Sequence, residues 1–137
     1  MLTRLTFMLS FFANANLLLN LPSSMSSMYA AHASNLGNDG IYNDWNNYAH
    51  CNNDPSPFDW LEYNLSISTL ISSILIFIPE WGSCYDRNNF LLNVGNSSPP
   101  YLNPICHNFG PTSPTGVTSG WYKCTTPLFG TKIGLSR

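Results

Sequence analysis

Four cysteines, three histidines and one asparagine-rich loop are the residues of this 137-residue chain best equipped to do chemistry. Cys51, Cys84, Cys106 and Cys124 are even in number and widely spaced. That pattern suits two disulfides in an oxidising compartment, with three connectivities open. Each bridge would stabilise a weak core by about 2–4 kcal/mol. In a reducing compartment the same residues are four free thiols.

His50-Cys51 and Cys106-His107 form a mirrored pair that suggests zinc. Zinc ligands from one segment need two or more residues between them, because both must curve around one ion. Adjacent residues point their side chains apart, so no metal site is assigned. The stretch NLGNDGIYNDWN, residues 35–46, places Asp39 and Gly40 where a calcium loop has a ligand and its turn. Calcium also needs a bidentate carboxylate at the last position, where Asn46 offers one neutral oxygen. Asn-Asp-Gly is then turn chemistry, since these residues tolerate left-handed backbone.

Other signatures of catalysis are missing. There is no G-x-S-x-G elbow, no Gly-rich phosphate loop and no H-E-x-x-H. His32, His50 and His107 all sit in loop-like contexts. No constellation divides acid, base and nucleophile roles, so no catalytic residue, metal or cofactor is expected and the chain is read as non-enzymatic. Asn64-Leu65-Ser66 and Asn96-Ser97-Ser98 are two sequons, making Asn64 and Asn96 candidate N-glycosylation sites.

The element that would position any of these groups is FDWLEYNLSISTLISSILIFIPEWG, residues 58–82. Ile67, Leu70, Ile71, Ile74, Leu75 and Ile78 recur at the spacing of one helical face. Asp59 and Glu62 stand as a capping box, Phe58 and Tyr63 as a hydrophobic staple, and Pro79 as a stop. The spacing predicts a helix over about 60–78, although its β-branched residues lower helix propensity. Trp60 to Ile78 would run about 28 Å at the helical rise, near the thickness of a bilayer core. Trp60, Tyr63 and Trp81 would mark its interfaces. Glu62 and five hydroxyl side chains fit equally a helix with one face packed in a core, and both readings stay open.

Residues 1–15, MLTRLTFMLSFFANA, match a short signal peptide with cleavage after Ala15. A later cleavage after Ala33, a mitochondrial presequence, or an apolar N-terminal helix of no targeting value are the alternatives. Residues 16–58 read as a polar loop or disordered tether, 59–79 as the apolar helix, and 80–137 as an irregular Pro/Gly/Asn-rich tail. Weak strand signals lie at Phe90–Val94 and Gly120–Thr125.

Composition sets the outer bounds. The apolar fraction of 44% suffices for a core, but the charged fraction is only 9%, against about 25% in ordinary soluble domains. Five scattered basic residues and a net charge of −2 give no stripe to neutralise phosphates, which excludes nucleic acid. There are 17 Asn, 7 Tyr, 5 Asp and 3 His, but only 2 Lys, 2 Glu and no Gln. In the standard code the first set ends its codons in pyrimidines and the second in purines, so a third-position bias explains the contrast where side-chain physics does not.

The expectation is therefore a mostly irregular, low-order small protein with one α-helix and no well-defined globular fold, located in a membrane or the secretory pathway. No specific biochemical function is legible. Its partner would be membrane lipid or an unidentified protein met by the apolar helix face, with no small-molecule substrate identifiable. The alternative is the translation product of a chance or recently arisen reading frame with no selected function.

Overall fold

The computed structural model describes residues 17–28, 30–41, 48–51, 59–77, 90–110 and 120–137. These residues build one five-stranded antiparallel sheet and two short 3-10 turns, and no α-helix occurs among them. The strands are β1 (Ser23–Met25), β2 (Trp60–Ile76), β3 (Leu91–Gly95), β4 (Ile105–Asn108) and β5 (Gly120–Ser136). Their order in the sheet is β1-β2-β5-β3-β4.

The expected helix over 60–78 is overturned, because its residues 60–76 are strand β2. Trp60–Asn64 pair with Lys132–Ser136 of β5, and Ser73–Ile76 pair with Gly120–Lys123. Ile and Thr branch at Cβ, which costs a helix side-chain freedom and suits a pleated surface. The supposed apolar face is accordingly split. Ile71 and Ile74 are buried, while Ile67, Leu70 and Leu75 are exposed to water. Ile78 lies outside the described residues, as do Phe58, Pro79, Trp81 and the N-terminal segment 1–15. Asp59 and Glu62 cap nothing: the Asp59 carbonyl accepts from the Arg137 N–H, and Glu62 sits inside β2.

Two irregularities bend the long β2–β5 ribbon. Four residues of β2, 65–68, stand opposite Thr131 alone, and four residues of β5, 124–127, stand opposite Ser72 alone. Extra residues in one strand of a pair kink and twist it. The sheet thus curls into two layers, bringing the far part of β5 against β4, which is not its hydrogen-bonded neighbour. Cys106 of β4 and Cys124 of β5 are joined by a disulfide there, with Cα atoms 4.1 Å apart. Leu65, Ile71, Ile74, Leu92, Val94, Cys106 and Ile133 form the core between the layers.

The tail 80–137, expected to be irregular, supplies three strands, with β3 and the start of β5 at the two weak strand signals. The tether 16–58, expected to be a disordered loop, supplies β1 and a 3-10 turn at Ser34–Gly37. Buried Asn38 anchors that segment by donating from Nδ2 to the carbonyls of Leu18 and Leu21. Its neighbour Asp39 accepts from the Ile41 N–H, and Gly40 takes the left-handed φ of 87°. Among the described residues no helix is long and apolar enough to cross a membrane, so the single-pass span is withdrawn.

Candidate functional site

Side chains alternate across a strand, so the register decides which residues share a face. Tyr63 pairs with Ile133, and Val94 with Ile133 from the other side of β5. These point into the core. The residues between them necessarily point the other way: Glu62 and Asn64 on β2, Lys132 and Gly134 on β5, Asn93 and Gly95 on β3. Ser24 of β1 is the register partner of Glu62 and joins them. One end of the sheet therefore carries an apolar face toward the core and a polar face away from it.

A loop from Asn96 to Asn103 lies over this polar face. Two glycines make room for it. A Cβ on Gly134 would stand 2.4 Å from Pro100 Cβ, and one on Gly95 would stand 2.3 Å from the Asn103 amide oxygen. Buried asparagines fasten the loop down. Asn103 accepts from the Ser97 N–H at 2.9 Å and donates to the Ser97 carbonyl at 2.8 Å. Asn93 donates to the Asn103 carbonyl at 3.1 Å and accepts from the Ser136 hydroxyl at 2.7 Å. Neutral amides carry out this pinning with little charge, which suits a face from which water is mostly excluded.

The loop ends its reach at Ser98, directly over the charged pair of the sheet. Glu62 and Lys132 are diagonal neighbours across β2 and β5, close enough for long side chains to meet. Lys132 Nζ donates to Glu62 Oε1 at 2.9 Å, with the two side chains 21% and 4% exposed. Ser98 Oγ donates to the same carboxylate oxygen at 2.5 Å and accepts from Lys132. The second oxygen, Glu62 Oε2, is buried with no hydrogen-bond partner among the described residues. An ammonium has three N–H donors, of which Glu62 and Ser98 take two.

Beside this triad the surface opens into a depression of about 130 Å³, lined by Pro22, Ser23, Ser24, Glu62, Asn64 and Lys132. Asn64 accepts from the Ser66 N–H through Oδ1, at the start of the bulge in β2. That bond sets the amide plane, so Nδ2 faces away from the backbone N–H it serves. Lys132, Asn64 and Ser24 thus present donors and a hydroxyl around one opening, with a buried carboxylate behind them. Such a set recognises a neutral polyol better than an ion, because the charges already neutralise each other.

The residues singled out by type and spacing are distributed as follows. Cys106 and Cys124 are brought together and bonded, which removes the Cys106 sulfur from any metal role. Cys51 is a free thiol whose Sγ lies 3.3 Å from the Trp60 carbonyl oxygen, and burial pushes its pKa up. Cys84 lies outside the described residues. Asn64 and Asn96 fall on two sides of the β5 segment at Thr131–Lys132. Glu62 and Lys132 carried no functional expectation. Their only signal is two rare charges in a chain nearly empty of them, seventy positions apart in sequence.

No protein-family model matches the sequence, and no curated protein matches it. Solved structures do. A fucolectin from striped bass (Morone saxatilis) serum has a TM-score of 0.74 at 17% identity, covering 90% of this chain and 42% of its own. The present chain thus spans about two fifths of that lectin. A fucose-binding module from Streptococcus pneumoniae gives 0.62 at 20% identity, covering 89% and 85%. A chitosan-binding module from a Paenibacillus sp. IK-5 chitosanase/glucanase, solved with chitotriose, gives 0.67 at 18%, covering 88% and 86%.

These likenesses correct three expectations. The low-order chain is replaced by a defined all-β fold found in known proteins. A chance reading frame, or a chain acting only through an apolar helix, does not account for that fold over nine-tenths of the sequence. The partner expected at a helix face, membrane lipid or an unidentified protein with no small-molecule ligand, gives way as well, because residues 60–76 form a strand and offer no such face. The structures sharing the fold are themselves named for the sugars they bind. In fold, the chain is similar to these lectins and carbohydrate-binding modules.

Proposed function

We propose that the chain is a non-catalytic carbohydrate-binding module, secreted or held outside the reducing cytosol, that grips one sugar ring of a neutral glycan. The observation that carries this is the depression at Ser24, Asn64 and Lys132, backed by the Glu62–Lys132–Ser98 triad. A sugar hydroxyl both donates and accepts, so it needs neighbouring groups of both kinds. The third ammonium N–H of Lys132 and the Asn64 amide donate to sugar oxygens, and the Ser24 hydroxyl serves in either sense. Glu62 is a positioning residue: it fixes the ammonium over the opening and offsets its charge. The fold supports the reading, since the solved chains similar to it are named as binding fucose, chitosan or related glycans. The disulfide supports the compartment, as such bonds persist where the medium is oxidising.

Size bounds the affinity. The depression holds about 130 Å³, below the roughly 300–1,000 Å³ of pockets that enclose a ligand. It engages one edge of a ring. A ligand of about a dozen heavy atoms at about 0.3 kcal/mol per atom gains about 4 kcal/mol, a dissociation constant near 1 mM. Chains of linked sugars bind more tightly only if the flanking surface contributes.

The test is a glycan array followed by calorimetry with fucosylated and chito-oligosaccharides. Wild-type protein binds at least one neutral oligosaccharide. Lys132→Gln and Asn64→Ala each weaken it tenfold or more while circular dichroism keeps its β signature. Binding to no glycan at millimolar concentration rejects the proposal, and binding that both variants leave intact rejects this site.

A further inference from the structure

The two sequons converge on the same end of the sheet. Asn64 lines the depression, and Asn96 follows β3 on the opposite side of β5. They differ in what surrounds them. Asn64 is half-buried inside the β2 ladder: its N–H donates to the Pro22 carbonyl, and its side chain shares the depression with Pro22 and Ser23. A glycan there would have to leave through the space where β1 meets β2. Asn96 is exposed, at the first turn position after β3. Its Oδ1 accepts from both the N–H and the hydroxyl of Thr131, at 3.0 and 3.2 Å. These bonds hold the carbonyl side of the amide inward, so the nitrogen that would carry a sugar is turned outward.

We infer that Asn96 is an N-glycosylation site, that Asn64 is not, and that the glycan on Asn96 limits access to the depression. The modification forms one C–N bond between Asn96 Nδ2 and the anomeric carbon of a lipid-linked oligosaccharide. The lipid diphosphate leaves with the electron pair of the broken C–O bond, and the amide gives up one proton. Placement links this site to the binding residues. Asn96 is bonded to Thr131, the chain neighbour of Lys132, and Ser98, the hydroxyl residue of the same sequon, is bonded to Lys132 and Glu62. A branched oligosaccharide rooted there stands beside the opening. The access clause rests on the carbohydrate-binding reading, whereas the modification does not.

The experiment uses the full chain behind a cleavable foreign signal in a glycosylating eukaryotic host, with intact mass as the readout. Wild-type protein carries one N-glycan, Asn64→Asp carries one, and Asn96→Asp carries none. Both variants keep the side-chain oxygen that accepts the backbone bond, so the fold is preserved. An unmodified wild-type chain, or a glycan that survives Asn96→Asp, overturns the assignment. Protein made without glycan in a bacterial host then binds oligosaccharide at least tenfold more tightly than the glycosylated form. Equal affinities overturn the access clause. Bare protein that binds no oligosaccharide overturns that clause together with the carbohydrate reading, while the mass shift still decides the modification.

Discussion

The two ends of the β2–β5 ribbon are built from the same pairing and held by different means. At the polar end, Trp60–Asn64 against Lys132–Ser136, both faces are covered: one by the core, the other by the loop 96–103 with its amide and ion-pair contacts. At the far end, Ser73–Ile76 against Gly120–Lys123, one face meets the core and the other meets water, leaving Trp121 65% exposed. Here the disulfide and a trio of rings take over. Phe109 and Tyr122 pack at 4.6 Å, with His107 at 4.9 Å and 5.3 Å from them. A polar lid needs many weak contacts to act together, whereas a single covalent tie fixes an otherwise open end. The site belongs to the first kind, because recognition needs several groups held in mutual register.

Breaking the tie is the strongest way to test this division. The bridge closes a loop of 18 residues, so Cys124→Ser is expected to cost about 3 kcal/mol in urea unfolding. Hydrogen exchange sharpens it: amides at 73–76 and 120–123 lose protection first, while those at 61–64 and 132–135 keep theirs. Uniform loss along both strands would make the ribbon one cooperative unit and erase the distinction.

Next in size is the crossing between the ends. A Cβ on Gly130 would lie 2.4 Å from the Gly95 carbonyl oxygen and 2.6 Å from its nitrogen, and backbone cannot swing aside. Gly130→Ala is expected to cost about 2–3 kcal/mol. Gly120→Ala, with nothing within 4 Å of its added carbon, changes stability by less than about 0.5 kcal/mol. Equal effects in thermal melts would mean that the strands do not cross so closely at Gly130.

Lys132→Met then probes the lid itself. It leaves the Glu62 carboxylate buried without its cation, a loss of about 3–5 kcal/mol for fully buried pairs. Lys132 still touches water, so about 2 kcal/mol is expected by denaturant titration. Glu62→Gln, which leaves the cation free to turn outward, costs about 1 kcal/mol. A larger loss for Glu62→Gln than for Lys132→Met would reverse the roles assigned to the pair.

The same contrast explains what could be read in the sequence. In a regular strand, buried residues recur at even spacing, yet Ile71 and Ile74 are three apart and both buried. The register shift between Ile71 and Ser73 falls inside that interval, and the interval imitates a helix. A bulge depends on the partner strand fifty positions away, so no local window reveals it. Glu62 misled for a related reason. Asp59 and Glu62 have the spacing of a capping box, but Glu62 is answered by Lys132 and Ser98 across the sheet. Cysteine count suggested bridges and left the pairing open, which the curl of β4 over β5 decided. Asparagine abundance has an explanation in codon bias, but Asn38, Asn93 and Asn103 are buried and bonded to backbone or side chains that only the fold brings near. Composition reports how often a residue occurs, and the register determines what it does.

The smallest expected effect lies on the core side of the polar end, beneath the site. Burial raises the Tyr63 phenol well above the ordinary tyrosine range, with smaller contributions from the Cys51 thiol and Asp39 carboxylate. The folded chain therefore keeps a proton that the unfolded chain releases above about pH 10. Fewer protons on the unfolded state mean that stability is fully present below that pH and is lost as pH rises through it. The Tyr63 hydroxyl donates only a long bond, 3.5 Å to the Ser34 carbonyl, so Tyr63→Phe costs less than about 1 kcal/mol at neutral pH. Between pH 9 and 11 the variant should keep stability that wild-type protein loses through the phenol, leaving the decline due to the buried Cys51 thiol. Parallel curves in urea titrations at each pH would place the phenol in contact with water, and the polar end would then be covered on one face only, like the far end.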